Sequence, residues 1–127
     1  MTKALAIVFG TIFVLVGILG FIPNSVISSS GYFKVDSLHN IIHVFVGALL
    51  LVNAKKGSTW LKIVGGIYLL LAVLGFATGG NKILGMVVTN GADNWLNLVL
   101  GFILLGIGLM TKDKDVQIKA SEQTPYM

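Results

Sequence analysis

The chain has no cysteine, no arginine, only two prolines and few charges of either sign. Without cysteine there is no disulfide framework, no thiolate metal site and no cysteine nucleophile. With 11% charged residues in 127, it falls far below the roughly one quarter usual in soluble globular domains. All nine basic residues are lysines, and they lie between apolar segments instead of forming a patch. The formal net charge of +4 therefore points to anionic lipid and membrane topology, and nucleic acid is not an expected partner.

What is abundant is apolar surface: 55% of residues are hydrophobic and mean hydropathy is +0.90. Four stretches approach the roughly 20 residues that cross a bilayer: Ala4 to Ile22, Leu38 to Ala54, Ile63 to Ala77 and Asn94 to Thr111. In lipid every buried peptide group needs an internal partner, so these stretches must be helices. The expected fold is all-α, an integral membrane four-helix bundle with helices near 4–22, 37–54, 60–77 and 93–111. One transmembrane domain, 1–111, is followed by a polar, mobile cytoplasmic tail, 112–127. With both termini cytoplasmic, seven lysines lie inside and only Lys34 and Lys82 outside, a positive-inside bias. The uncharged run of 19 residues at Ala4–Ile22 exceeds the roughly 7–15 of a signal-peptide core, so it reads as a span.

The chain also resembles itself. Gly10 to Phe21 aligns with Gly65 to Phe76 at an offset of 55, and Asn40 to Gly47 aligns with Asn94 to Gly101 at an offset of 54. The expected organisation is two parallel two-helix repeats, about 5–54 and 60–110. At 100° per residue Gly10, Gly17 and Gly20 share one face, as do Gly65, Ala72 and Gly75. With Gly47 and Gly101 these small residues are expected to let helix backbones approach closely. Gly106 and Gly108 are further small positions available for assembly.

One polar cluster stands out. Asp36, His39, Asn40, His43 and Gly47 fall within an arc of about 100° at the start of the second helix. Asp93, Asn94, Asn97 and Gly101 occupy a similar arc on the fourth, and the two stripes are expected to face each other. Asp36 and Asp93 suit capping of helix N-termini. Asn40, Asn94 and Asn97 suit hydrogen bonding between helices, and a contact from His43 to Asn97 or Asn94 is expected. His39 and His43 have the i, i+4 spacing of two ligands on one metal, but a site needs a third ligand and a second shell. No metal or other cofactor is expected, and no catalytic residue is assigned.

Leu38-His39-Asn40-Ile41-Ile42-His43-Val44-Phe45-Val46-Gly47 and Ala92-Asp93-Asn94-Trp95-Leu96-Asn97-Leu98-Val99-Leu100-Gly101 resemble the bacterial domain-of-unknown-function 4383 family. Phe9–Phe21 and Gly65–Phe76 fit its pattern too. The resemblance implies a small four-helix protein of the bacterial cytoplasmic (inner) membrane and brings no activity with it. The family usually has histidine where this chain has Asn97. A looser likeness to DoxX-like redox-associated proteins implies an enzyme as an alternative. The expected function is a non-catalytic scaffold or accessory subunit, partnered by the lipid bilayer and by itself or a larger membrane complex. The alternatives are a redox- or metal-associated enzyme using His39 and His43, and a small-solute channel.

Overall fold

The computed structural model describes residues 1–79, 81–113 and 122–123. Four α-helices make a bundle: α1 (Thr2–Gly20), α2 (Ser37–Val52), α3 (Gly57–Ala77) and α4 (Gly91–Met110). Three segments, Thr2–Gly20, Ala54–Ala77 and Gly91–Met110, are long and apolar enough to cross a membrane. α2 has 16 residues, about 24 Å of rise, and is the short member of the set. It stops at Asn53, whose backbone N–H and side-chain amide both donate to the Leu49 carbonyl, at 3.1 and 2.9 Å. A 3-10 turn, Ala54–Lys56, then leads directly into α3.

α3 starts at Gly57, several residues earlier than the apolar run that begins at Ile63. Lys62 therefore lies inside the helix, where its aliphatic stem packs against Gly108 of α4. No residue of α3's own entry caps it by side chain. The carboxylate of Asp113 does so from 55 residues away: it accepts from Ser58 N at 2.7 Å, Thr59 N at 3.3 Å and Thr59 Oγ1 at 2.7 Å. Ser58 Oγ lies 2.8 Å from both the Gly108 and Thr111 carbonyl oxygens, so the end of α4 is tied to the start of α3. Asp113 is buried, so the start of the expected mobile tail is docked. Residues 114–121 and 124–127 of that tail lie outside the described residues.

The helices associate in pairs, α1 with α2 and α3 with α4. The reason is the absence of side chains where they cross. A β-carbon on Gly10 would lie 2.9 Å from the Gly47 carbonyl oxygen, and one on Gly47 would lie 2.6 Å from that of Gly10. On the other pair, Gly65 approaches the Leu105 backbone and the Gly101 carbonyl, while Gly101 meets Leu69. Close backbone approach of this kind replaces the hydrophobic drive that lipid does not supply. Between the pairs lies a core of Phe13, Val46, Leu50, Leu61, Val64, Tyr68 and Leu104. The outside is as apolar as the inside: Leu15, Phe45, Leu70, Val73 and Phe102 are all more than half exposed. Such a surface is that of a membrane protein.

The two long connections are structured. Between α1 and α2, β1 (Ile27–Ser28) and β2 (Phe33–Lys34) form a parallel pair. Its entry is organised by Asn24, whose amide donates to the Ile27 and Ile22 carbonyls at 2.6 and 2.7 Å. Between α3 and α4, β3 (Lys82–Ile83) and β4 (Val87–Val88) form an antiparallel hairpin. Val35, Ile83 and Val87 point inward and are buried, so each connection folds back onto the bundle.

Candidate functional site

The residues that open α2 and α4 set the geometry of the polar cluster. Asp36 is the N-cap of α2, its carboxylate accepting from His39 N at 2.9 Å. The N-cap of α4 is Asn90 instead of Asp93. Asp93 sits at the third helical position, where its carboxylate accepts from Asn90 N and its own N–H donates to Asn90 Oδ1, a reciprocal capping box. The structural counterpart of Asp36 is thus Asn90, and that of Asp93 is His39. Asp36 thus caps as expected, whereas Asp93 contributes from the third position of a capping box whose N-cap is Asn90, since asparagine caps as well as aspartate does.

Each of these third-position residues reaches the connection of the opposite helix pair. His39 Nδ1 lies 2.7 Å from the Val88 carbonyl in β4. The Asp93 carboxylate faces the Lys34 backbone N–H in β2. Asn90 Nδ2 adds a bond to the Tyr32 carbonyl at 2.7 Å. The connection of one pair therefore roofs the helix start of the other.

One turn deeper lie two asparagines in matching seats. Gly20 faces the Asn40 side chain and Gly75 faces the Asn94 side chain; a β-carbon at either glycine would overlap the amide. Here the lack of a side chain makes room for a polar group and not for a backbone. Thr89 Oγ1 donates to Asn94 Oδ1 at 3.1 Å. The position preceding the other cap holds buried Val35, which has no hydroxyl, and Asn40 Oδ1 is left without a partner.

His43 does not bond to Asn97 or Asn94 in the way the sequence suggested. Its ring stacks on His39, centroids 4.7 Å apart and planes 10° apart, and it neighbours Phe13 at 6.1 Å and Tyr68 at 6.2 Å. Asn94 is held by Thr89 and Gly75 instead. Asn97 and His43 nevertheless line one small void, together with His39, Tyr68, Ile42, Leu71, Ile83 and Val87. Imidazole lone pairs lie in the ring planes, so two parallel rings do not aim at a common point. Among the described residues no group of three or more His, Cys, Asp or Glu side chains could hold a metal ion.

Five contributors escaped sequence reasoning: Tyr68, Ser58, Thr89, Asn90 and Asp113. Tyr68 was signalled only as the one aromatic substitution between aligned segments, where Phe13 stands in the first. The two rings stack at 5.1 Å, and Tyr68 Oη has no partner. Of the remaining small positions, Gly17 meets Val44 and the Asn40 carbonyl, Ala72 is fully buried and Gly108 is filled by Lys62 and Ser58. Gly108 is therefore used within the bundle. A β-carbon on Gly66 or Gly106 would meet no atom within 4 Å.

The family model described as a domain of unknown function (DUF4383) matches residues 3–110, which covers both connections and all four helices but for the first residue of α1. The chain belongs to the DUF4383 family. Every polar residue placed above, except Thr111 and Asp113, lies within the matched span. No curated protein and no solved structure matches the chain.

Proposed function

We propose that this membrane protein is a non-catalytic component, a self-assembling scaffold or an accessory subunit of a larger membrane complex. The observation that carries this reading is the use made of the polar groups. Asp36, Asn90 and Asp93 cap helices, and His39 fastens the opposite connection through Val88. Residues that could otherwise present acids, bases or ligands are engaged in closing the outer end of the bundle. Small positions are meanwhile left over. Gly66 and Gly106 are unused in internal packing and offer a partner helix close approach to α3 and α4.

The same reading takes the two helix pairs as copies of one unit. Supporting it are the matched seats Gly20–Asn40 and Gly75–Asn94, and the stacked pair Phe13–Tyr68 at aligned positions. Four spans, both termini cytoplasmic and residence in a bacterial inner membrane complete the proposal, resting on the lysine distribution. Aromatic side chains support a membrane boundary at the outer end, where exposed Trp95 packs edge-on to Phe76 at 5.3 Å.

The test is the mass of the particle in native membranes and in mild detergent, with an optical spectrum and metal analysis of the same sample. An oligomer or a co-purifying membrane partner is expected, together with loss of that association in Gly66→Leu. A monomer without partner overturns the reading, and a bound metal or chromophore replaces it with the redox alternative. Orientation is read separately by labelling single cysteines at exposed Ser29 and Lys55 with an impermeant reagent in intact cells. Ser29→Cys should label and Lys55→Cys should not; the reverse pattern inverts the topology.

A further inference from the structure

We propose that the end of the bundle where α3 begins is a docking surface for anionic phospholipid, its basic rim formed by Lys3, Lys55, Lys56, Lys62 and Lys112. The fold gathers lysines that the sequence scatters. Gly57 lies so close to α1 that a β-carbon there would be 2.6 Å from the Thr2 carbonyl oxygen, which brings Lys3 beside Lys55 and Lys56 in the turn before it. Lys112 stands between Thr111 and Asp113, and both of these bond to the start of α3. The Thr111 carbonyl accepts from Ser58 Oγ, and the Asp113 carboxylate accepts from Ser58 N and Thr59 Oγ1. Lys62 follows one turn along α3, its stem on Gly108. Lys3, Lys55, Lys56 and Lys112 are exposed, and Lys62 is half-buried.

This rim carries the net charge of the whole chain. At the opposite end of the bundle Lys34 and Lys82 are balanced by Asp36 and Asp93. In the tail Lys114 and Lys119 are balanced by Asp115 and Glu122, so the formal +4 is that of the five rim lysines less Asp113. Asp113 faces inward: it is buried, and its oxygens accept from three donors at the start of α3.

Beside the charge lies apolar surface, where Val8, Ile63, Leu109 and Met110 are exposed. An occupant with a negative group at one end and hydrocarbon below it matches both parts. An acidic peptide or a nucleic acid matches only the first. The Lys62 stem lies along α4 while its ammonium reaches for the headgroup level, as long basic side chains do at membrane boundaries. Basic sites between transmembrane helices recruit anionic headgroups in this way. The inference needs the chain to sit in a bilayer and needs neither the assembly nor the orientation proposed above. A monomer can pass its test and an oligomer can fail it.

The two tryptophans provide the test, since Trp60 is two residues from Lys62 and Trp95 lies at the other end of the bundle. Trp95→Phe and Trp60→Phe each leave one fluorophore in the full chain, reconstituted in phosphatidylcholine bilayers. Brominated phosphatidylglycerol or brominated phosphatidylcholine is then added as a contact quencher. At Trp60 the anionic lipid is expected to be preferred by at least about five-fold, the factor that one lysine near an anionic surface supplies. At Trp95 the two lipids should quench about equally. Lys62→Gln combined with Lys112→Gln should remove most of the preference at Trp60, and Lys34→Gln with Lys82→Gln should leave it unchanged. Equal quenching of Trp60 by both lipids overturns the proposal, as does the same preference at both tryptophans. A preference at Trp60 that survives the Lys62 and Lys112 substitutions overturns it equally.

Discussion

Thr89→Val removes one hydroxyl from a fully enclosed site. Thr89 is 2% exposed and Asn94 0%, and their hydrogen bond of 3.1 Å is buried. Asn94 Nδ2 already has no partner, so the substitution leaves the entire amide unsatisfied against Gly75. A buried polar group stripped of its partner costs about 1–3 kcal/mol in proteins generally. Within helical membrane proteins the same loss is smaller, about 0.6–2 kcal/mol. The second pair of helices should therefore lose roughly 1 kcal/mol. The reciprocal substitution sharpens the test. Val35 precedes the cap of α2 as Thr89 precedes that of α4, and Asn40 Oδ1 lacks the donor that Asn94 Oδ1 has. Val35→Thr should supply it and stabilise by up to about 1 kcal/mol. Reversible denaturant unfolding in mixed micelles, read by tryptophan fluorescence, gives both numbers. If Thr89→Val is neutral, or if Val35→Thr destabilises as much as Thr89→Val, the hydroxyl–amide reasoning is wrong.

Asp113→Ala frees Ser58 N, Thr59 N and Thr59 Oγ1 at the start of α3 and should cost about 1–2 kcal/mol by the same unfolding measurement. Asp113→Asn, which keeps one acceptor oxygen, should lose less. Gly75→Ala drives a methyl into the Asn94 amide and should destabilise by about 1–3 kcal/mol, whereas Gly66→Ala meets nothing within 4 Å and should be neutral or gain about 0.5–1 kcal/mol. Equal effects of the two alanines would refute the packing assigned to α3. Leu84 takes a left-handed backbone, φ 52°, at the tip of the β3–β4 hairpin while 62% exposed, so Leu84→Gly should raise stability by about 1 kcal/mol. A loss on that substitution would mean that the exposed leucine side chain is bound by something outside the bundle.

The spans were legible because lipid demands long apolar runs and helical closure, and those runs are visible residue by residue. The glycine faces were legible for a related reason: 100° per residue places Gly10, Gly17 and Gly20 together before any partner is known. The start of α3, expected near residue 60, lies at Gly57, with Lys62 inside the helix and its stem packed on Gly108. What makes that start possible is Asp113, and no local pattern links residue 113 to residue 58. The cluster was half legible. Its members were identifiable as buried polar groups, but their pairing depended on caps and side-chain directions. Asn90 displaced Asp93 from the cap, and stacking on His39 turned His43 away from the expected bond to Asn97.

The shortness of α2 explains why the connections are structured. At about 24 Å it falls short of the roughly 30 Å of a bilayer's hydrocarbon core. Its first turn, with Asp36 and His39, would meet lipid if the chain above it were loose. The β3–β4 hairpin covers that turn, presenting Ile83 and Val87 below and the Val88 carbonyl to His39. The first connection does the same for α4 through Tyr32 and Lys34. Each roof belongs to the other pair, so the His39 ring and the Asn90 amide find their partners across the two pairs. The hydrogen bonds that cross between pairs hold the end at the starts of α2 and α4 closed, while the Asp113 carboxylate and the Ser58 hydroxyl hold the opposite end of α3 to α4. A bundle whose pairs are tied together at one end and whose α3 and α4 are tied at the other, with interhelical seats that admit no extra methyl, has little freedom to open a path along its axis. That rigidity is what a structural component requires, and it counts against the small-solute channel.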